Sequence, residues 1–495
     1  MKFLLTLAFA AAQLAAAGLP ENIQRLLDSN PAARTAFWGI QVVDLASGKV
    51  VYELNPDHYF VPASNTKLFT TALALSRLGP GYTFITSVLA AAAPDSAGRV
   101  AGPLRLIGGG DPNLSARAIP YRTGPITGNA LEAIEDLADQ IVARGMRRVD
   151  GGIIGDDTRY VWQPYAVGWG IDDPQSDDGP PISALTIADN ALTLSVRPGA
   201  AVGDLAALSF NPPLEFYRIE NRVRTVASGG PRAIHFKRIP GNRDAQLWGT
   251  LPVRDRGANL NISIEDPAEF AARALQMALE SRGVTVAGEP SALHLLPDEV
   301  ADLKEAASAP PTAEGIELAR RTSAPLLEDL RITDKVSQNL HAELALRAVA
   351  RARRNVGSFE AGAEELKAFL AEAGIDPEAW HLMDGSGLSR LNLVTPATVV
   401  KLLRFMYDSP ARENFISLLP VGGRDGTLSS RFVETPAAGR VHAKTGSLSH
   451  VSALSGYLER GDGTWLAFSV LVNNYNSRTA EVRGIMDRIC NLILE

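Results

Sequence analysis

At 495 residues, with 46% hydrophobic and 21% charged side chains, the chain is too long for one ordinary domain and reads as a soluble globular protein of two or three. A net charge of -7 without any basic run argues against nucleic acid as the partner. The single cysteine, Cys490, excludes an internal disulfide and is expected to pack as a small apolar residue in the last helix.

The chain opens MKFLLTLAFAAAQLAAAGLPENIQ, with Lys2, an apolar run from Phe3 and small residues Ala15 to Ala17 before Gly18. These are the parts of a secretory signal peptide over 1–17, with cleavage expected after Ala17. The run is short and weakly flanked for a permanent span, so no stable membrane anchor is expected, although an uncleaved anchor is the competing reading. An exported chain without disulfides fits a periplasmic or secreted protein, and a bacterial periplasm best.

WGIQVVDLASGKVVYELNP reads as two strands joined at Ser47-Gly48. VPASNTKLFT (61–70) follows, with a helix expected to begin near Ser64 and to be buried through LFTTALALSRL. From about residue 85, strand-like segments such as PLRLIGG, VDGGIIGDD, ALTLSVRPG and AQLWGTLPV alternate with turns. Two helices interrupt them, NALEAIEDLADQIVARG with Leu131, Ile134, Leu137, Ile141 and Val142 at helical spacing, and DPAEFAARALQMALESRG opened by Asp266-Pro267. The Pro- and Ala-rich stretch at 306–315 marks a boundary. Beyond it come helix, turn and helix in SAPLLEDLRITDKVSQNLHAELALRAVA, a further helix in SFEAGAEELKAFLAEAG, three strands, and the closing helix TAEVRGIMDRICNLILE. That last helix lacks a basic polar face and is read as core packing rather than a membrane anchor.

Only Lys67 among the nine lysines has a serine three positions before it. The i, i+3 spacing puts Ser64 and Lys67 on one helix face. Two readings compete: Ser64 as an N-cap with Lys67 snorkelling to solvent, or Ser64 as a nucleophile with Lys67 as its base. Two further motifs bear on the choice. Ser337-Gln338-Asn339 lies in the turn between two helices, and Lys444-Thr445-Gly446, the single K-T-G, lies in a strand. A second S-x-N at Ser209-Phe210-Asn211 falls in the strand-rich region and is read as a decoy. His442 shares a strand face with Lys444, where packing is preferred to catalysis. The seven histidines lack metal-ligand spacing, so no metal and no cofactor are expected, and LIGGGDP reads as a turn rather than a phosphate loop.

With S-x-x-K, S-x-N and K-T-G in this order, the chain resembles the penicillin-interactive serine enzymes. Within them it is similar to the low-molecular-mass class C penicillin-binding proteins, the D-alanyl-D-alanine carboxypeptidase/endopeptidase family of the DacB type (peptidase S13). GGGDPNLS (108–115), GDDTRY (155–160), DGSGLSRLNLVTP (384–396) and HAKTGSLSHVSALSGY (442–457) carry the resemblance over nearly the whole mature chain. The 273 positions from Ser64 to Ser337 match the large insertion that marks the group.

The resemblance implies an α/β (α+β) fold of the β-lactamase/transpeptidase type. It would comprise a five-stranded antiparallel sheet flanked by helices, split over 19–84 and 310–495, with a β-rich insertion over 85–309. It also implies a serine carboxypeptidase, with D,D-endopeptidase activity as a further expectation, acting on peptidoglycan stem peptides and inhibited by β-lactams. A β-lactamase and a non-catalytic penicillin-binding sensor are the alternatives. Ser64 would attack the penultimate D-alanine carbonyl while Lys67 takes its proton. Ser337 would pass that proton to the leaving amine, and Asn339 would hold Lys67 and the substrate amide. Lys444 and Thr445 would bind the terminal carboxylate, and Gly446 would let an extended substrate lie along the strand edge. The resemblance further places the N–H groups of Ser64 and Ser447 in an oxyanion hole, and Asp157 and Arg390 near the substrate's side-chain end. There an aspartate and an arginine would suit the amine and carboxylate of diaminopimelate; a turn-forming Asp157 and a solvated Arg390 are the plainer readings.

Overall fold

A computed structural model describes residues 18–308 and 314–495. The expected leader over 1–17 therefore lies outside the described residues. The chain forms two compact units, the first from Met1–Ser76, Leu330–Gln338 and Leu366–Glu495, the second from Arg77–Asp329 and Asn339–Glu365. The division differs from the boundaries at 84/85 and 309/310 expected from the sequence, because 77–84, 310–329 and 339–365 all join the second unit.

The first unit is built on a five-stranded sheet in the order Val441–Leu448, Val451–Glu459, Trp465–Asn473, Phe37–Asp44, Val50–Leu54. Every neighbouring pair is antiparallel. In Phe37–Asp44 the alternate residues Trp38, Ile40 and Val42 face a core shared with Leu454, Phe468 and Val470. The helices Leu19–Ser29 and Thr479–Leu494 close that core through Ile23, Leu27, Val482, Ile485 and Ile489, with Cys490 buried among them. The central strands Val451–Glu459 and Trp465–Asn473 are buried at nearly every position, as a sheet covered on both faces requires. Gly39 faces the second layer, where a Cβ would stand 2.3 Å from the Phe60 ring and 2.8 Å from Pro396. The helix Thr66–Leu78 is buried without a break from Thr66 to Leu75, so its apolar run is a core run.

The second unit has its own five-stranded sheet, ordered Ser291–Leu295, Ile153–Val161, Leu104–Ile107, Ile85–Ala90, Ile316–Thr322. The first two pairings are parallel and the last two antiparallel. The helices Glu132–Ala143 and Pro267–Glu280 pack into its core through Ile134, Leu137, Phe270 and Leu275. Asp266 caps the second of these, its side chain accepting from the Glu269 N–H at 2.9 Å. Leu340 and Leu344 of the helix Asn339–Arg354 pack on Tyr160, Ile182 and Ala184, and Ala350 packs on Val161. Those apolar contacts are why 339–365 belongs to this unit. Ser209 lies opposite Ser195 in an antiparallel ladder, an ordinary strand position.

Candidate active site

Ser64 sits in a single 3-10 turn, Ala63–Asn65, that runs into the helix Thr66–Leu78. Ala63 is left-handed at φ 47, a conformation that costs a non-glycine residue about 1–3 kcal/mol and needs enforcement by its surroundings. The enforcement comes from the DGSG turn. Gly387, at φ +87, presses so closely that a Cβ there would stand 1.9 Å from the Ala63 carbonyl oxygen. Asp384 organises that turn, its Oδ1 accepting from the Gly387 N–H at 2.8 Å and Asn392 Nδ2 at 2.7 Å, and its Oδ2 from the Ser389 N–H at 2.7 Å. Lys67 is wholly buried, and its Nζ lies 3.0 Å from Ser64 Oγ and 2.6 Å from the Ser386 carbonyl oxygen. The snorkelling reading fails on that burial.

The K-T-G motif occupies the strand Val441–Leu448, tied to the serine turn by Asn65 Nδ2 donating to the Lys444 carbonyl at 2.9 Å. Lys444 is also wholly buried. Its Nζ donates to Ser337 Oγ at 2.8 Å and to the Thr445 carbonyl at 2.8 Å. Burial, with the Lys67 charge adding to it, lowers the Lys444 amine well below its ordinary value. Ser337 follows the helix Leu326–Lys335 at φ 66, the second left-handed non-glycine residue of the site. Gly446 has a packing reason: a Cβ there would stand 2.8 Å from the Pro62 oxygen and 3.1 Å from the Ser64 nitrogen, crowding that N–H. Thr445 Oγ1 donates to Thr427 Oγ1 at 2.8 Å. Ser447 Oγ donates to the Gly446 carbonyl at 2.7 Å and accepts from Arg483 at 2.6 Å. Arg390 is exposed and donates to the Ser449 carbonyl at 3.2 Å.

The structure thus gathers Ser64, Lys67, Ser337, Lys444, Thr445, Gly446 and Ser447 within the first unit. Asn339 and Asp157 belong to the second. Asn339 opens its helix and donates from Nδ2 to the Asp178 carbonyl at 2.7 Å. Asp157 is buried, its carboxylate accepting from Ser183 Oγ at 2.8 Å and lying 2.8 Å from His294 Nδ1. His294 stacks on Trp162 with centroids 4.0 Å apart and reaches Asp266 at 3.4 Å through its other nitrogen. Burial opposes its charge, but the two carboxylates outweigh burial and raise it to about 10. His442 packs beside Trp465, and burial with the nearby Lys335 and Arg424 charges holds it down to about 4.

Two residues of the first unit escaped the sequence reading. Asp384 was visible only as part of a tight turn. Asp334, three residues before Ser337, is wholly buried and accepts from Thr71 Oγ1 at 3.0 Å. No cluster of three or more His, Cys, Asp or Glu among the described residues could hold a metal ion. No described helix is long and apolar enough to cross a membrane.

The model of the D-Ala-D-Ala carboxypeptidase 3 (S13) family matches residues 19–493. The D-alanyl-D-alanine carboxypeptidase of Actinomadura sp. (strain R39) is 35% identical over 488 residues, which cover 96% of this chain and 84% of that protein. The D-alanyl-D-alanine carboxypeptidase DacB of Haemophilus influenzae is 25% identical, over 97% of this chain and 93% of its own. The crystal structure of penicillin binding protein 4 (dacB) from Haemophilus influenzae superposes with a TM-score of 0.78, covering 95% of this chain and 98% of that one at 24% identity, a likeness of fold.

Proposed function

The chain belongs to the D-Ala-D-Ala carboxypeptidase 3 (S13) family, and from that premise we propose that it removes the terminal D-alanine of peptidoglycan stem peptides through an acyl-enzyme on Ser64. It is a serine-type D-Ala-D-Ala carboxypeptidase. The observation that carries the residue assignment is the buried Lys67 amine 3.0 Å from Ser64 Oγ. Ser64 Oγ attacks the penultimate carbonyl carbon while Lys67 Nζ takes its proton. The N–H groups of Ser64 and Ser447 receive the oxyanion, which is why the space beside the Ser64 nitrogen must stay clear of a side chain at Gly446. Ser337 Oγ, held by Lys444, delivers the proton to the departing D-alanine amine. Water then hydrolyses the ester by the reverse path. Lys444 and Thr445 take the terminal carboxylate, and Asn339, whose Nδ2 donates to the Asp178 carbonyl, is assigned the substrate amide. Penicillins acylate the same serine. The protein works outside the cytoplasm, in the periplasm or secreted, on the cell wall.

The test is labelling with a fluorescent penicillin followed by assay of D-alanine release from a stem peptide. Covalent labelling with D-alanine release is expected. Rapid loss of label without D-alanine release would identify a β-lactamase, and stable label with neither reaction a sensor.

The assignment of Asp157 to the amine and Arg390 to the carboxylate of a diaminopimelate side chain is part of the proposal, and the burial of Asp157 sharpens its test. To receive an amine, Asp157 must release His294. Asp157→Ala and Arg390→Ala should each lower kcat/KM for diaminopimelate-bearing peptides by about tenfold or more, with penicillin acylation little changed. An equal fall on both substrates would assign the residues to support of the fold.

A further inference from the structure

The first unit buries two lysines side by side in function, and one carboxyl group beneath them. Lys67 and Lys444 are both wholly buried, and so is Asp334. Two buried ammonium groups without an anion would be costly, and Asp334 is placed to answer that cost. It lies in the last turn of the helix Leu326–Lys335. Its Oδ2 meets Thr71, one turn beyond Lys67 on the helix Thr66–Leu78. Its Oδ1 is buried without a hydrogen-bond partner among the described residues. The charged groups around it are Lys67 from the serine helix, Lys444 from the K-T-G strand and Lys335 from its own helix. Lys335 is already held by Asp425 at 2.7 Å and the Leu419 carbonyl at 2.7 Å, and His442, near Lys335, is neutral. That leaves Lys67 and Lys444 as the cations Asp334 serves.

Hydrogen counting makes the carboxyl a two-state group. Thr71 Oγ1 has one hydrogen and two acceptors in reach, the Lys67 carbonyl oxygen at 2.8 Å and Asp334 Oδ2 at 3.0 Å. An ionised Asp334 competes with the carbonyl for that hydrogen. A protonated Asp334 supplies its own and ends the competition. Burial raises this carboxyl to about 7, against the pull of Lys444, Thr71 and Lys67.

We propose that Asp334 is a positioning residue for catalysis, the buried counter-charge whose ionisation sets how readily Lys67 and Lys444 hold their protons. The inference rests on the assignment of Lys67 as base and Lys444 as the carboxylate-binding cation. Protonated Asp334 leaves Lys67 free to be a neutral base, and ionised Asp334 favours the charged form of both lysines. The rising limb of the activity profile then reports loss of the Lys67 proton, and the falling limb loss of the Lys444 proton.

Asp334→Asn removes the anion and keeps a partner for Thr71. Both lysine pKa values fall without the negative charge, so both limbs of the pH profile of penicillin acylation should move to lower pH, by about one unit or more. Thr71→Val takes away the hydrogen bond that favours the carboxylate, so it should move the limbs in the same direction by less. The double variant should move them no further than Asp334→Asn alone. Unmoved limbs in both single variants would overturn the proposal, and so would a uniform loss at every pH with the limbs in place. Failure of the underlying assignment would look different: Lys67→Ala would then retain acylation, whereas failure of this inference alone leaves Lys67→Ala inactive.

Discussion

Ser64→Ala is expected to abolish covalent labelling by penicillin altogether, while the melting temperature stays within a few degrees of the parent. The change deletes one oxygen from a half-buried side chain at the mouth of a helix that is otherwise held by apolar packing. Neither the left-handed Ala63 nor the Gly387 contact that enforces it depends on the hydroxyl. What disappears is the one atom that can form the ester, so no residual slow labelling should remain. Covalent label on the variant would remove Ser64 as the nucleophile.

Replacing the two buried lysines should separate their duties. Lys67→Ala removes the proton acceptor, and acylation should fall by about 10²–10⁴-fold for every substrate alike. Lys444→Ala should act through the substrate. For peptides ending in a free carboxylate, kcat/KM should fall about tenfold to a hundredfold as a charge-assisted contact is lost, while an uncharged ester should be affected far less. Equal losses on both substrates would refute the carboxylate role and leave Lys444 as support for Ser337, to which it donates at 2.8 Å.

The chemistry legible in the sequence was the chemistry that depends on short spacings. Ser64 and Lys67 meet because three residues of helix bring them together, and the unbroken apolar run after them announced burial. The five-stranded antiparallel sheet was likewise expected, through the resemblance that the three motifs carried. Asp334 was not legible, because an aspartate in the last turn of a helix reads as a solvated end residue until a second helix covers it. Asp384 was hidden for a related reason: its function is to gather the N–H groups of a turn, and a turn motif alone does not reveal which lysine its carbonyl addresses. The boundary at 339 was missed because composition marks linkers, whereas membership of a unit is decided by which core Leu340, Leu344 and Ala350 enter.

The sheet order also dictates a sequence of events in time. Phe37–Asp44 is among the first strands synthesised, yet its register pairs Phe37 with Asn473 and Asp44 with Leu466, at the far end of the chain. Until those residues exist, one edge of that strand has no native neighbour, and closing so long a loop is slow relative to forming local structure. The second unit, drawn mostly from the continuous run Arg77–Asp329, has most of its partners close in sequence and can organise while the other waits. The first unit therefore spends its assembly with one edge of an apolar strand unpaired, the interval in which such a chain is open to aggregation. Lys67 is made early and Lys444 late, so the pocket that penicillin reports on comes into being only when the sheet does.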